Sequence, residues 1–366
     1  SDFRSISYRI LISEIIFSLL AYFFILYFLI TVFEKKNYNI KRMYALSLYT
    51  IFLVIIAYFS KKIDFYFDNT LIYYSILIPI PFVFISISFI FNKLFTQMYL
   101  MFISIILTRL LDSSLINFMM IYFTGLLSIH STVEVSKRDI IFRKGLYIVL
   151  AQLALLFIDF LYNSYPADIF LFSTGWSVVI TFGSISLAIG SLPFIEKQLN
   201  LATPFRLYEL SDLNESILKE MQMSAPGTYH HSMIVGNLAE NAAKDIGENS
   251  VLARVAAYYH DIGKLDIPEY FIENQFGREN KHDKIEPSLS ISILKSHVKK
   301  GIEKAHELNL PDEVIEIIQQ HHGTGLIKYF FFQYMKKMKE KNETPQITKD
   351  DFIYPGPKPK SKIAAI

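Results

Sequence analysis

The sequence predicts an all-α protein, a seven-helix transmembrane bundle followed by an all-helical polar domain, and three observations lead there. Of 366 residues, 52% are hydrophobic and only 19% charged, and mean hydropathy is +0.31. These values exclude a disordered or fibrous chain and argue against a purely soluble one. The charge is also unevenly placed: residues 1–200 hold 15 Lys+Arg and 11 Asp+Glu, against 21 and 23 in residues 201–366. The two parts therefore face different solvents. In the second part, apolar positions recur at helical spacing, and no stretch alternates as a half-buried strand does.

A bilayer core needs about 20 apolar residues per helix, because backbone amides without water must be satisfied within the segment. Ile10–Val32, Leu71–Phe91 and Ile169–Phe194 meet that length; Met43–Ser60, Ser114–Ile129 and Leu146–Tyr162 are slightly short. Leu94–Leu107 is the weakest of the seven, being brief and parted from the preceding span only by Asn92 and Lys93. Pro79 and Pro81 predict a kink in the third span.

Basic residues orient the bundle. The gaps after the first, third and fifth spans hold Lys35, Lys36, Lys41, Arg42, Lys93, Lys137, Arg138, Arg143 and Lys144, and the other gaps hold only Lys61, Lys62 and Arg109. That bias places the N-terminus outside and everything after Phe194 in the cytoplasm. It needs an odd number of spans, so the charge bias and the weak fourth span support each other. Glu14, Arg109 and Asp159 are the ionisable groups in or beside the spans, and all lie near span ends. A charge at the bilayer centre would mark an ion path; these placements argue against a transporter. The first apolar run is too long for a signal peptide and lacks a small-residue cleavage site. The chain opens on Ser rather than Met, as expected of a piece of a longer protein.

Beyond the spans, residues 198–213 become amphipathic and polar, a juxtamembrane connector. Helices follow, marked by apolar Met233, Val235, Leu238 and Ala242, then Val251, Val255, Ala256 and Tyr259, then Val314, Ile317 and Ile318. Pro226-Gly227-Thr228, Asn249-Ser250 and Pro311-Asp312-Glu313 open them, the last with acidic residues that suit a helix N-terminus. The net charges of the two parts, +4 and −2, leave no basic excess for duplex nucleic acid. Zero Cys excludes disulfide frameworks and thiolate metal sites.

Eight of the nine His fall in the polar part; only His130 lies before it, at the inner membrane edge. His260-Asp261 ends the run Val251–Lys264, VLARVAAYYHDIGK, in which nine residues before the pair carry one charge, Arg254. A carboxylate buried there needs a compensating cation, and a metal supplies it. Neutral imidazoles give single nitrogen ligands, whereas a carboxylate has two oxygens and can bridge two ions about 3.5–4 Å apart. Such a pair activates water and holds both oxygens of a phosphoryl centre, which describes phosphodiester hydrolysis. Ligation by imidazole and carboxylate without sulfur points to iron or manganese, with zinc behind them. Lys264 lies four residues after His260, on the same face of a helix, where it can neutralise a substrate phosphate. A second His-Asp pair, His282-Asp283, stands between Lys281 and Lys284 and reads as a solvated loop. His306, with polar neighbours, also reads as exposed.

Seven runs then carry a resemblance: APGTYHHS at Ala225–Ser232, YYHDIGK at Tyr258–Lys264, FIENQ at Phe271–Gln275, SHVKKG at Ser296–Gly301, QQHHGT at Gln319–Thr324, KYF at Lys328–Phe330 and YPGPKP at Tyr354–Pro359. As a set they resemble the HD domain of the seven-transmembrane HD family, whose best-understood members are the PgpH-type cyclic di-AMP phosphodiesterases of bacteria. The resemblance implies metal ligands at His231, His260, Asp261, His297, His321 and His322. His231, His260 and Asp261 would hold one ion, and Asp261, His297, His321 and His322 the other, with Asp261 bridging. His230 is a neighbour and not a ligand. It further implies an Asp shortly after the YPGPKP loop, beyond Ile366; Asp350 and Asp351 precede the loop and read as solvated. It also implies a large extracellular ligand-sensing region ahead of the membrane helices.

The expectation is thus a multi-pass protein of the bacterial cell membrane. Residues 1–197 form the seven-transmembrane domain, 198–213 the connector and 214–366 a cytoplasmic HD phosphohydrolase domain, incomplete at its C-terminal end. Its activity would be metal-dependent hydrolysis of cyclic di-AMP to pApA, with Asp261 and Lys264 as catalytic residues and two divalent transition metal ions, Mn or Fe, as cofactors. Partners are the cyclic dinucleotide and membrane lipid, with oligomeric state left open. Two rivals stand beside it. One is a receptor whose HD domain binds a cyclic dinucleotide without cutting it. The other is a phosphodiesterase for a different cyclic dinucleotide, such as the HD-GYP type acting on cyclic di-GMP. That type would show HHE and a GYP loop, where this chain reads HHGTGLIKYF from His321.

Overall fold

A computed structural model describes residues 12–13, 16, 19, 22–23, 40–66, 74–111, 114–133, 135, 137–277, 279–342, 344 and 347–366. The chain divides into two compact units, Ser1–Ile195 and Glu196–Ile366. Among the described residues every regular element is helical, and the sole β-bridge pairs Leu326 with Ile353.

In the first unit the helices are α1 (Ile40–Tyr66), α2 (Ile80–Ile90), α3 (Lys93–Leu110), α4 (Leu115–Ser131), α5 (Arg138–Asn163) and α6 (Ala167–Leu199). Four of these, α1, α3, α5 and α6, are long and apolar enough to cross a membrane; α2 and α4 are apolar but shorter. The expected first span, Ile10–Val32, and Glu14 within it fall largely outside the described residues. The expected third span is not one helix. A 3-10 turn at Tyr74–Leu77 precedes α2, and Pro79 stands at the N-cap with Pro81 in the first turn. Neither proline can donate to a preceding turn, so the two residues that predict a kink instead set the start of a short helix. The weakest predicted span, in contrast, is a full helix of 18 residues. Asn92, read from sequence only as a thin separator, caps it by accepting from the Phe95 N–H at 2.8 Å.

Packing within this unit follows from apolar shape and a few buried polar links. Helix α4 packs against α2, α3 and α5. Thr50 Oγ1 and the Tyr99 hydroxyl, 2.7 Å apart, tie α1 to α3. Buried Gln152 of α5 donates to Thr124 Oγ1 of α4 and accepts from Thr181 Oγ1 of α6, each at 3.0 Å. Where no water reaches, such pairing satisfies groups that would otherwise be costly. On α1 the exposed large side chains include Ile40, Tyr44, Leu48, Ile51 and Ile55. They repeat every three to four residues, an apolar stripe suited to lipid.

The second unit takes in α7 (Pro204–Leu210), α8 (Ser216–Ser224), α9 (Pro226–Asp245), α10 (Ser250–Tyr259), α11 (Pro287–Glu307), α12 (Asp312–Gln320), α13 (Lys328–Lys341) and α14 (Lys362–Ala365). Its core gathers Leu207, Leu218, Met221, Val255, Tyr259, Ile262, Val314 and Ile318, so residues of the expected connector are already part of it. Each fully buried Leu, Ile or Val there contributes about 1.5–3 kcal/mol. Starts agree with the sequence signals: Asn249 accepts from the Leu252 N–H at 3.0 Å, and α12 opens after Pro311 on Asp312 and Glu313. Helix α9 packs Met233 and Val235 partly against the core, as their spacing predicts, but its most covered positions are small. Ser232, Gly236, Ala239 and Ala243 are covered, while Ile234 and Leu238 are exposed, because Gly236 lies against the Tyr258 ring and only small residues fit that approach.

Candidate metal centre

Four elements bring the site together. Helix α9 supplies His231, five residues after its proline start. Helix α10 ends at Tyr259, with His260 as its C-cap; Asp261 follows, and Ile262–Asp266 turns as a 3-10 helix. The expectation of one continuous helix through Lys264 is therefore corrected: the tighter turn, three residues per repeat, carries Lys264 back to Asp261. His297 stands in the middle of α11, and His321-His322 follows the last residue of α12.

Close approach makes this convergence possible at two glycines. A Cβ on Gly263 would lie 1.9 Å from the His297 carbonyl oxygen, so the turn after Asp261 rests directly on the α11 backbone. A Cβ on Gly227 would lie 1.8 Å from the Glu273 carbonyl oxygen. There the start of α9 is fastened to the FIENQ segment: the Thr228 N–H donates to Asn274 Oδ1 at 3.0 Å, and Asn274 Nδ2 donates to Thr228 Oγ1 at 2.9 Å.

The structure collects the residues named from sequence into two groups, His231 with His260 and Asp261, and Asp261 with His297, His321 and His322. Within each, one ligand atom per residue lies within 4.8 Å of the others. Asp261 is 2% exposed and belongs to both. Its Oδ2 is 3.0 Å from His260 Nε2 and 2.7 Å from Lys264 Nζ. Its Oδ1 accepts no hydrogen bond from any described residue, although His297 Nε2 and His321 Nε2 are 3.4 and 3.7 Å away.

Tautomers explain that orphan oxygen. His260 and His321 donate from Nδ1 to the carbonyls of Ala257 and Ile318, each at 2.7 Å, and His297 donates from Nδ1 to that of Leu294. A carbonyl only accepts, so Nδ1 holds the proton and a neutral ring presents the Nε2 lone pair inward. His297 Nε2 thus faces His321 Nε2 at 3.4 Å and His322 Nε2 at 3.2 Å. The His297 and His321 lone pairs cannot bond one another; a cation at their focus satisfies both together with Asp261 Oδ1. The donor set of imidazole and carboxylate fits a divalent metal ion.

The charge states agree. Burial pushes His321 down to about 2 and His322 down to about 4, and it also lowers His297 and His231, so these rings are neutral at physiological pH. His260 is the exception: burial pushes it down, but the adjacent Asp261 carboxylate outweighs that and holds it up. Asp261 itself, though burial alone would raise it, is held well below the usual range by His260, Lys264 and His297.

Other residues of the sequence reading sit elsewhere. Lys264 is 2.7 Å from Asp261 and also 2.7 Å from Glu273, with its ammonium 5.0 Å from the Phe271 ring centroid. Its charge is thus engaged by two carboxylates. His306, Asp350 and Asp351 are exposed, as expected, and His130 is exposed too. His282 is not solvated: it is 7% exposed, its Nε2 2.8 Å from the Tyr270 carbonyl and its ring against Tyr270 and Phe330. The basic neighbours that suggested solvent point outward, Lys281 to Glu269, while the imidazole turns inward. Glu273 and Tyr354 also belong to the site with no role assigned from sequence. Tyr354 stacks on His322, ring centroids 4.1 Å apart, and burial pushes its hydroxyl up to about 12. The FIENQ and YPGPKP runs were the signals that held them.

Residues 228–353 match the HD domain, and residues 8–203 match the family described as 7TM receptor with intracellular HD hydrolase. A Bacillus subtilis protein, cyclic-di-AMP phosphodiesterase PgpH, is 48% identical over 189 residues, 52% of this chain and 26% of that protein. Its namesake from Listeria monocytogenes is 46% identical over 196 residues, 54% of this chain and 26% of that protein. The chain therefore spans about a quarter of the length of these relatives. A crystal structure of the L. monocytogenes PgpH HD domain is 49% identical, covers 42% of this chain and 68% of that one, and has a TM-score of 0.38. With one family matched across more than half of its length and the HD domain across most of the remainder, this chain belongs to the family of 7TM receptors with an intracellular HD hydrolase.

Proposed function

We propose that the chain is the membrane and catalytic part of a metal-dependent phosphodiesterase that hydrolyses cyclic di-AMP to pApA. The carrying observation is the single buried carboxylate, Asp261, common to two ligand groups. The substrate follows from the relatives, named as cyclic-di-AMP phosphodiesterases, that share nearly half of their residues with this chain across the matched segment. In this reading residues 1–197 are a seven-span membrane domain with its N-terminus outside, 198–213 the connector, and 214–366 a cytoplasmic HD phosphohydrolase domain.

His231, His260 and Asp261 would hold one divalent ion, and Asp261, His297, His321 and His322 a second, with Mn or Fe favoured by a donor set without sulfur. Such a pair, when bound, supplies Lewis acidity and a water whose pKa falls into the neutral range. The chain's own residues do the rest. The carbonyls of Ala257, Leu294 and Ile318 fix three imidazoles in the tautomer that directs Nε2 inward. Lys264, held by Glu273, orients Asp261 through Oδ2, leaves Oδ1 toward His297 and His321, and keeps positive charge beside the cleft where a phosphate would enter. Tyr354 covers the outer face of His322 and limits water there.

The test is hydrolysis by the purified full chain in detergent, supplied with Mn or Fe and assayed on cyclic di-AMP and cyclic di-GMP in competition. Faster loss of cyclic di-AMP with pApA as product, abolished in Asp261→Ala, is expected. Binding without turnover under both metals would return the receptor reading, and faster loss of cyclic di-GMP the HD-GYP one.

A further inference from the structure

Gln320, the last residue of α12 and the one directly before His321-His322, is 2% exposed. A polar side chain buried to that degree is costly unless it finds a partner. Its Oε1 accepts from the Lys360 N–H at 2.8 Å, 40 residues further along the chain. Its backbone carbonyl accepts from the Gly323 N–H, also at 2.8 Å, and so closes the turn that carries both imidazoles.

Lys360 ends the run Tyr354–Lys360, YPGPKPK, whose other end is fastened as well. The Tyr354 N–H donates to the Gly325 carbonyl at 3.0 Å, beside the bridge between Leu326 and Ile353. Between these two bonds stand Pro355, Pro357 and Pro359, which have no N–H to donate, so the backbone of the run is held chiefly at its ends. A proline-rich segment is also semi-rigid, and the position of one end constrains the other. The run lies along the turn as a strap: a Cβ on Gly323 would stand 3.5 Å from Pro359 Cδ, and one on Gly356 3.2 Å from Thr324 Cγ2. At its start the Tyr354 ring lies within 10° of parallel to that of His322.

We infer that Gln320 is a positioning residue of the metal centre: its side-chain carbonyl latches Lys360, and through the stiff strap it keeps Tyr354 on His322 and holds the His321-His322 turn in place. This deepens the reading of the cluster as a metal centre and rests on it. Gln320 acts on the ligands through the strap and the turn, and takes no part in bond cleavage.

Hydrogen–deuterium exchange reads the latch directly, because only Gly356, Lys358 and Lys360 carry amides between residues 355 and 360. Gln320→Met keeps nearly the same shape and has no acceptor. In the full chain in detergent it should let the Lys360 amide exchange about five-fold faster, the ordinary net worth of one such bond. Gln320→Glu keeps an oxygen at that position and should stay within about two-fold of the unmodified chain. Affinity for Mn, measured by competition with a chelator, gives the second readout. Gln320→Met and Tyr354→Ala should each weaken it about ten-fold, as loss of a group that orients a ligand does. Both act through one strap, so the double variant should bind little worse than either single one, whereas independent sites would multiply to about a hundred-fold. Unchanged exchange in Gln320→Met, or a multiplied loss in the double variant, overturns the assignment. An unmodified chain that takes up no Mn would sink the metal reading, while faster Lys360 exchange in Gln320→Met would still keep the latch.

Discussion

At the scale of single residues, the centre is held by an electrostatic balance around Asp261, whose carboxylate is shared among Lys264 and the imidazoles. Lys264 and Glu273 act on the metal ligands only through that carboxylate. Partners of this kind typically carry 10–100-fold in metal affinity or activity. Lys264→Met is therefore expected to lower both metal content and hydrolysis by about that factor, and Glu273→Gln by its lower end. His306→Ala, on an exposed helix face, should change neither; elemental analysis with an activity assay decides. The same rings set a pH dependence. His321 and His322, held at about 2 and about 4 by burial, are neutral in the folded chain where the unfolded chain, near 6.5, takes up protons. The stability they permit is present above about pH 6.5 and is lost as pH falls toward the folded values. Proteolytic unfolding midpoints of the metal-free chain should thus fall between pH 7 and 5, with a shallower slope in His321→Asn. A flat profile would contradict it.

At the scale of elements, the centre depends on backbone contact more than on helix length. The 3-10 turn Ile262–Asp266 lies on α11 because Gly263 has no Cβ to hold it off the His297 carbonyl. Gly263→Ala would force two backbones apart, an overpacking that costs about 1–3 kcal/mol. Because the displaced groups carry Asp261 and His297, the expected result is loss of the second metal ahead of any loss of helix content, read by elemental analysis against circular dichroism. Helix α12 is fixed at its start by Asn200, whose amide donates to Asp312 Oδ1 at 3.1 Å and whose carbonyl accepts from the Asp312 N–H at 3.1 Å. Nine residues later the same helix delivers His321. Asp312→Ala removes one of these two bonds and an acidic residue from a helix N-terminus, about 0.5–2 kcal/mol in all. It is expected to lower metal affinity without touching a ligand, measurable by competition with a chelator; unchanged affinity would show that the start of α12 does not govern its end.

At the scale of the whole molecule, the charge bias makes an orientation forecast that the absence of cysteine renders easy to test. Lys137→Cys lies in a gap assigned to the cytoplasm, and Ser164→Cys in one assigned to the outside; both positions are exposed. In intact cells a membrane-impermeant maleimide should label the second and spare the first, and the reverse pattern would invert the topology. The sequence by itself determined a great deal here. Long apolar runs, the clustering of eight His after residue 200 and the HD motifs settled an all-helical chain with an apolar first part and a metal-ligand domain, because composition and period are local properties. What it could not settle were features that depend on how distant backbones meet. Pro79 and Pro81 reshaped the third span, and Asn92 turned a doubtful segment into a capped helix. His282, flanked by lysines, read as solvated, yet a carbonyl twelve residues earlier and the Phe330 ring draw it inward. Residue types announce which chemistry a chain can perform. Only the folded backbone decides which imidazoles point at one carboxylate, since those vectors are fixed by tertiary packing and not by spacing along the chain.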